Sequence, residues 1–503
     1  MKAMLVASLA LLLAACDGEP PLIPPEEDAS VPQADAGPVP DGGLPRVDSG
    51  VDGGPPPAAL VRLIHAAPGV PSVDFRAAER IVSPDVYYRA ATPYARVAVG
   101  ETELTVTAEA GETIAASEPQ PLEDGARYLA ILMAPPAEEP RLIVLEETAP
   151  PGGDLLSVRV VNATHETASL DVDLDGSLRA IEVDDLAAGA ASDWIEVDPI
   201  ALRPVVLAGE GEAPFTITQA VAPWLAETDR VLVVAVGRPI EAQPSEVEGL
   251  SLLLVLEATE DSSPAFILRP DPRLAILHSA PLLPVVSVSA NHASGGDPIP
   301  LADVFAYGEL IEATLPPGQS YISMLPEGEI FGPQVSADLL AGHRYLMITR
   351  GDPEVWGPGR FEATVVRDAI EGSAFVIVNA SPDTPGAMRW YGEGASGWAA
   401  IDALPPMEYG GRSAARGVAI DAAARLGVAR EDRSAPNVYF DAASAAGARG
   451  FAVLAGSYFA APDAPDAQAL FYVWAPEGGA WTVERIAPSA GSGPLPDETP
   501  PSP

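Results

Sequence analysis

Four stretches of this chain open alike: VRLIHAAPGVPSVDF (Val61–Phe75), VRVVNATHETASLDV (Val158–Val172), LAILHSAPLLPVVSV (Leu274–Val288) and FVIVNASPDTPGAMRW (Phe375–Trp390). Each begins with a β-branched or aliphatic run, reaches His or Asn (His65, Asn162, His278, Asn379), and then turns through small residues. A run of this kind, bounded by Ala, Ser, Pro and Gly, reads as a strand entering a turn. Self-similarity in a fixed order marks repeated structural units, and it takes precedence over any local reading.

Two further anchors follow in the same order. LEDGARYLAIL (Leu122–Leu132), LAETDRVLVVAV (Leu225–Val236), LLAGHRYLMIT (Leu339–Thr349) and AAGARGFAVLAG (Ala445–Gly456) each place an arginine before an apolar strand: Arg127, Arg230, Arg344 and Arg449. RLIVLEET (Arg141–Thr148), LLLVLEAT (Leu252–Thr259), RFEATVVRD (Arg360–Asp368) and WTVERIA (Trp481–Ala487) close the units. Between the anchors lie short apolar runs broken by Gly, Pro and Asp. VAVGETELTVT (Val97–Thr107) reads as a hairpin through its glycine. Gly417–Arg433 is compatible with a short helix, although its place in the repeat favours strands. Short strands at this spacing predict an all-β fold, a tandem array of four Ig-like antiparallel β-sandwich domains. The expected boundaries are 59–152, 153–268, 269–371 and 372–490.

The composition narrows the function. Across 503 residues, 28 Lys+Arg face 71 Asp+Glu, a net charge of −43, so nucleic acid is not an expected partner. A single cysteine excludes a disulfide framework within the chain and any multi-cysteine zinc site. That cysteine ends MKAMLVASLALLLAAC (Met1–Cys16), in which Lys2 precedes an apolar run and two small residues. The layout is that of a secretory signal, too short to remain as a membrane span. Leu13-Ala14-Ala15-Cys16 resembles the bacterial lipobox. The resemblance implies a signal peptide over 1–15, cleavage between Ala15 and Cys16, and a Cys16 bearing diacylglycerol and an amide-linked acyl chain such as palmitate. Two or more acyl chains hold a protein stably at a bilayer. The expected location is a bacterial membrane, the outer membrane in particular, facing the periplasm or cell surface. Residues 16–58 are rich in Asp, Gly and Pro and lack the apolar content for a core, so a disordered tether is expected. The tail 491–503 (GSGPLPDETPPSP) reads the same way.

The unit openings also resemble the bacterial domain-of-unknown-function family number 4397, which starts with a strand, His-Ala-Ser-Pro-like residues, Val-Asp-Val and a Gly turn. HAAPGVPSVDF and NATHETASLDVDLDG match best; the third unit has Ser287 in place of the Asp, and the fourth has Met388 and then Trp390-Tyr391. The resemblance implies secreted or surface-anchored Ig-like repeats and no known activity.

Among motifs that carry chemistry, Asp171, Asp173 and Asp175 with Gly176 and Glu182 satisfy the calcium-loop pattern D-x-[DN]-x-[DN]-G-x5-E. Their context is a strand and turn, so a hairpin edge with the aspartates outside and Leu170, Val172 and Leu174 inside is the better expectation, with Ca2+ as the alternative. His65 and His278 alternate with Asn162 and Asn379 at one repeat position; a backbone hydrogen-bonding role suits both residue types better than metal ligation. Trp390, Tyr391 and Trp398 lie in the Gly-rich RWYGEGASGW; exposed aromatics there would stack on a sugar, although core tryptophan is the commoner reading. No nucleophile elbow, zinc-protease helix, P-loop or dinucleotide fingerprint is present, so no catalytic residue is assigned. The expected function is a non-catalytic structural or adhesion-type binding module of the envelope, with a polysaccharide or protein partner. The alternatives are a hydrolase whose carboxylates meet only in the fold, and a calcium-dependent adhesive array.

Overall fold

The structure is a computed structural model that describes residues 56–498, apart from internal stretches of which the longest are 208–214, 238–248, 257–263, 351–361, 368–374, 414–424 and 442–449. Cys16, the signal and the tether as far as residue 55 lie outside the described residues. All the named elements are strands. In the first unit they are β1 (Ala58–His65), β2 (Val73–Ala77), β3 (Arg80–Val86), β4 (Ala95–Ala98), β5 (Gly100–Thr102), β6 (Leu104–Ala108), β7 (Thr113–Ala116), β8 (Gln120–Leu122), β9 (Arg127–Met133) and β10 (Arg141–Glu146). One sheet has the order β10-β9-β1-β4, and the facing sheet β3-β2-β6-β7.

The later units repeat this plan. Leu156–Thr164, Arg273–His278 and Phe375–Asn379 each take the place of β1. Each pairs in parallel with the strand that follows the repeat arginine: Arg230–Gly237, Arg344–Arg350 or Gly450–Ala455. In the first unit the same parallel pair is β1 with β9. The all-β sandwich class is as expected, and this one parallel pair per unit is a refinement that strand patterning does not reveal. It puts the opening strand inside its sheet in the first three units, whereas in the fourth Phe375–Asn379 is the edge strand.

Three local readings are revised. Val97–Thr107 is no hairpin: β4 joins β1, β5 pairs with β8, and β6 joins the facing sheet. Alternation dictates which side chains point inward, Val97, Leu104 and Val106 among them, but it does not dictate the partner strand. In the fourth unit the partner of Gly450–Ala455 is Ala469–Trp474, and the WTVERI strand lies one place further out. Arg425–Arg430 is a strand, as its place in the repeat favours. The tail expected to be disordered is laid against the fourth sandwich as far as residue 498. Glu498, 7% exposed, accepts hydrogen bonds from the Tyr458 hydroxyl (2.8 Å) and the Leu495 amide (2.8 Å).

Each sandwich closes on its own apolar core, centred on Phe75, Val172, Phe305 and Trp390 in turn. Two more clusters belong to no single sandwich. Ile64, Leu129, Ile131 and Met133 on the outer face of the first unit's β1 sheet pack against Val161, Leu232, Val234 and Val255 of the second. Ala275, Leu277, Leu346 and Ile348 of the third pack against Val376, Phe451, Val453 and Phe471 of the fourth. The array is therefore two back-to-back pairs. This explains the uninterrupted apolar runs of β9 (RYLAILM) and Arg230–Gly237 (RVLVVAVG), because a strand covered on both faces loses its alternation.

Between the pairs, Asp271 fastens the connecting segment to the second sandwich. Its carboxylate accepts from the Thr218 amide and hydroxyl (3.0 Å each) and from the Thr216 hydroxyl (3.1 Å). Burial raises the Asp271 carboxyl above its ordinary value, and these hydrogen bonds oppose the rise.

Candidate functional site

The first back-to-back interface is not apolar throughout. Where its two sheets meet near the start of β9, a cavity of about 430 Å³ opens between the first and second sandwiches. Three of the chain's 28 basic residues converge on it: Arg62 from the middle of β1, Arg127 from the first position of β9, and Arg230 from the equivalent first position in the second unit. Arg127 and Arg230 share this end because both open the parallel strand of their unit, and back-to-back packing turns the two openings toward one space. Arg62 points to the same outer face because it is two residues before Ile64, which lies in the interface cluster.

The acidic lining among the described residues is Glu146, the last residue of β10, and Glu147, the residue after it. Arg62 Nη2 donates to Glu147 Oε1 at 2.6 Å, and both side chains are nearly sealed, 4% and 6% exposed. The Tyr94 hydroxyl donates to the other Glu147 oxygen. The Tyr94 ring is covered by two guanidiniums, Arg62 at 4.8 Å and Arg127 at 5.2 Å from its centroid. Burial pushes the Tyr94 hydroxyl well above its ordinary value, so it remains a donor at neutral pH. Burial lowers the Arg230 guanidinium from its usual value, and the like charge of Arg127 adds to the effect. An arginine stays charged regardless. Arg62 Nε and Nη1 are buried and lack hydrogen-bond partners. Trp194 forms part of the rim, its indole N–H donating to Thr148 O at 2.9 Å. Val231, Leu232, Val255 and Leu256 form an apolar wall.

The candidates drawn from sequence lie elsewhere. Asp173, Asp175 and Glu182 do come together, one oxygen of each within 4.8 Å of the others, while Asp171 points away and accepts from the Asp185 amide at 2.7 Å. Asp173 is fully buried rather than outside. Its Oδ1 accepts from the Asp175 and Gly176 amides at 3.0 and 2.8 Å, and Glu182 accepts from the Leu174 amide at 2.8 Å. Those bonds close the turn after Asp173, with Gly176 at φ +69°. Asp175 is exposed, and hydrogen bonds from Ser177 hold its carboxyl below the usual range.

Trp390 and Tyr391 are core residues, 0% and 2% exposed, because the stretch read as a Gly-rich loop forms the strand Met388–Gly394. Only Trp398 approaches the surface, against Tyr439 (5.8 Å) and across Gly427, where a Cβ would meet its ring at 3.1 Å. At three of the four His/Asn positions, His65, Asn162 and Asn379, the geometry is the same. His65 Nδ1, Asn162 Oδ1 and Asn379 Oδ1 accept from the amide two residues on, at 3.3, 3.1 and 3.2 Å. The opposite atom reaches a carbonyl: His65 Nε2 to Pro71, Asn162 Nδ2 to Leu186, Asn379 Nδ2 to Met407. A neutral imidazole and a primary amide supply the same donor and acceptor, so they interchange.

Of the cavity residues, only Arg127 and Arg230 stand out in the repeat pattern. Arg62 had a signal that the repeat comparison holds in plain view. The second residue of the opening motif is Arg62 in VRLIH and Arg159 in VRVVN, but Ala275 in LAILH and Val376 in FVIVN.

Among known proteins, a family model described as Domain of unknown function (DUF4397) matches residues 59–173, the first sandwich and the opening of the second. No curated protein matches the chain. A solved structure titled "The Bacillus anthracis TIE protein" aligns at 9% identity and a TM-score of 0.15, over 73% of this chain and 61% of that one. The chain thus spans under two thirds of that structure's length.

Proposed function

We propose that the protein is a lipid-anchored, non-catalytic binding module of the bacterial envelope, and that its ligand enters the cavity between the first two sandwiches. The observation that carries the binding reading is the cavity itself, about 430 Å³ in an interface otherwise packed with aliphatic side chains. Pockets of several hundred cubic ångströms at domain interfaces are where proteins hold small ligands. The non-catalytic reading rests on the lining. Its guanidiniums do not exchange protons at neutral pH, and the buried carboxylate is already engaged by Arg62 and Tyr94. Those groups hold and orient.

The anchor reading rests on the lone Cys16 at the end of an apolar signal. Among the described residues no helix is long and apolar enough to cross a membrane. A palmitate-labelling experiment tests it: Cys16→Ser should abolish the label and release the protein from the membrane fraction, and retention would refute the anchor. Binding is tested by titrating neutral and charged monosaccharides into the detergent-solubilised chain while following Trp194 fluorescence. A saturable change is expected, altered by Arg230→Met.

A further inference from the structure

Three guanidiniums gathered in one cavity of a chain with net charge −43 require an electrostatic explanation. Each remains charged, and Coulomb repulsion between buried like charges is only partly screened by solvent. Among the described residues of the lining, the counter-charges are the nearly sealed Glu147 and the exposed Glu146. Arg62 also retains two buried donor atoms, Nε and Nη1, with nothing to donate to. A buried donor left without an acceptor is costly, and a charged one more so. A stability-driven interface would have replaced this cluster with hydrocarbon, as the rest of it has.

We infer that the cavity is a binding site for an organic anion, a carboxylate or phosphoryl group carried on a ring-sized body. This rests on the cavity being the ligand site proposed above. The oxyanion takes the positive end formed by Arg62, Arg127 and Arg230, where guanidinium forks match planar oxygen pairs. The body lies along Leu232, Val255 and Leu256, since the space exceeds what a bare inorganic ion would fill. Glu147 is the internal competitor: its carboxylate holds Arg62 when the ligand is absent.

Isothermal titration of the detergent-solubilised chain with benzoate, glucuronate, glucose 6-phosphate, inorganic phosphate and glucose tests this. At least one organic anion should bind at a single site, and added NaCl should weaken it. Arg230→Met should weaken it by about tenfold or more, the loss of one charge-assisted contact. Arg127→Lys is the second variant in case Arg230→Met folds poorly. Glu147→Gln keeps the shape, removes the competitor and should tighten binding several-fold; a purely structural ion-pair network predicts no gain in affinity. The carboxylate and phosphate-ester arms identify which oxyanion is preferred. Glucose binding as tightly as glucuronate would overturn the anion assignment and leave the cavity reading standing. Inorganic phosphate binding as tightly as the organic anions would overturn the role of the apolar wall. If no probe binds and no probe raises the melting temperature, both readings fall.

Discussion

The two back-to-back interfaces are built around the same parallel strand pairs, yet they close differently. In the first, the outer face of the opening strands carries Arg62 and Arg159, and a cavity remains. In the second, the equivalent positions are Ala275 and Val376, both packed in the interface. The repeat arginine is retained there as Arg344, but Trp481 lies over its guanidinium at 4.3 Å and stacks on Phe451 at 5.6 Å. The Trp481 amide in turn donates to Glu312 at 2.6 Å. A shared fold therefore imposes the pairing and the position of the arginine. Side-chain volume and charge at two or three positions decide whether that arginine ends in a cavity or under a ring.

The largest expected effect comes from opening the closed interface. Trp481→Ala removes a nearly buried indole from between Phe451 and Arg344, and should cost about 3–5 kcal/mol in urea unfolding of the full chain. A cost below about 1 kcal/mol would show that the ring is not what closes the second pair.

The next effect sharpens the charged side of the comparison. Arg62→Met strands the Glu147 carboxylate in a sealed site and should cost about 3–5 kcal/mol. The double change Arg62→Met with Glu147→Leu should recover most of that loss, or exceed the wild type by about 1–4 kcal/mol, while weakening anion binding. If the double variant stays as unstable as the single one, Arg62 matters through its packing rather than its charge.

The fold was legible because repetition averages out local ambiguity: four openings that turn at the same place identify a unit even where a single strand would not. The pairing of sandwiches was half-legible. VRVVN-type and RVLVVAVG-type runs without alternation signal burial on both faces, but periodicity does not say which sheet does the covering. The cavity was hidden for a physical reason. Its residues come from β1, the segment before β4, β9, the end of β10 and the residues just past it, and the second unit, so their separations along the chain carry no spacing motif. Conversely, the aspartates with a calcium-loop spacing are engaged by backbone amides, because a turn and an ion compete for the same oxygens.

A smaller effect compares the units within a pair. Burial holds the His65 imidazole below its ordinary value of 6.5, with hydrogen bonds to backbone opposing the shift. The unfolded chain binds a proton as pH falls through 6.5 that the folded one refuses, so stability is full above that pH and declines toward the lower folded value. His65→Asn, the residue native to the second and fourth units, should cost no more than about 1 kcal/mol at pH 8 and remove that part of the acid loss. Melting temperatures of both proteins between pH 5 and pH 8 would show it; parallel curves would mean His65 does not set the slope.

The central contrast, an open, anion-accepting first pair and a closed second pair, is tested most directly by hydrogen exchange of the full chain with and without the tightest-binding organic anion. The account predicts slowed exchange confined to Arg127–Met133, Arg230–Gly237 and the segments around Tyr94 and Glu147, with Arg344–Arg350 unchanged. Equal slowing in both pairs, or slowing only in the second, would contradict it.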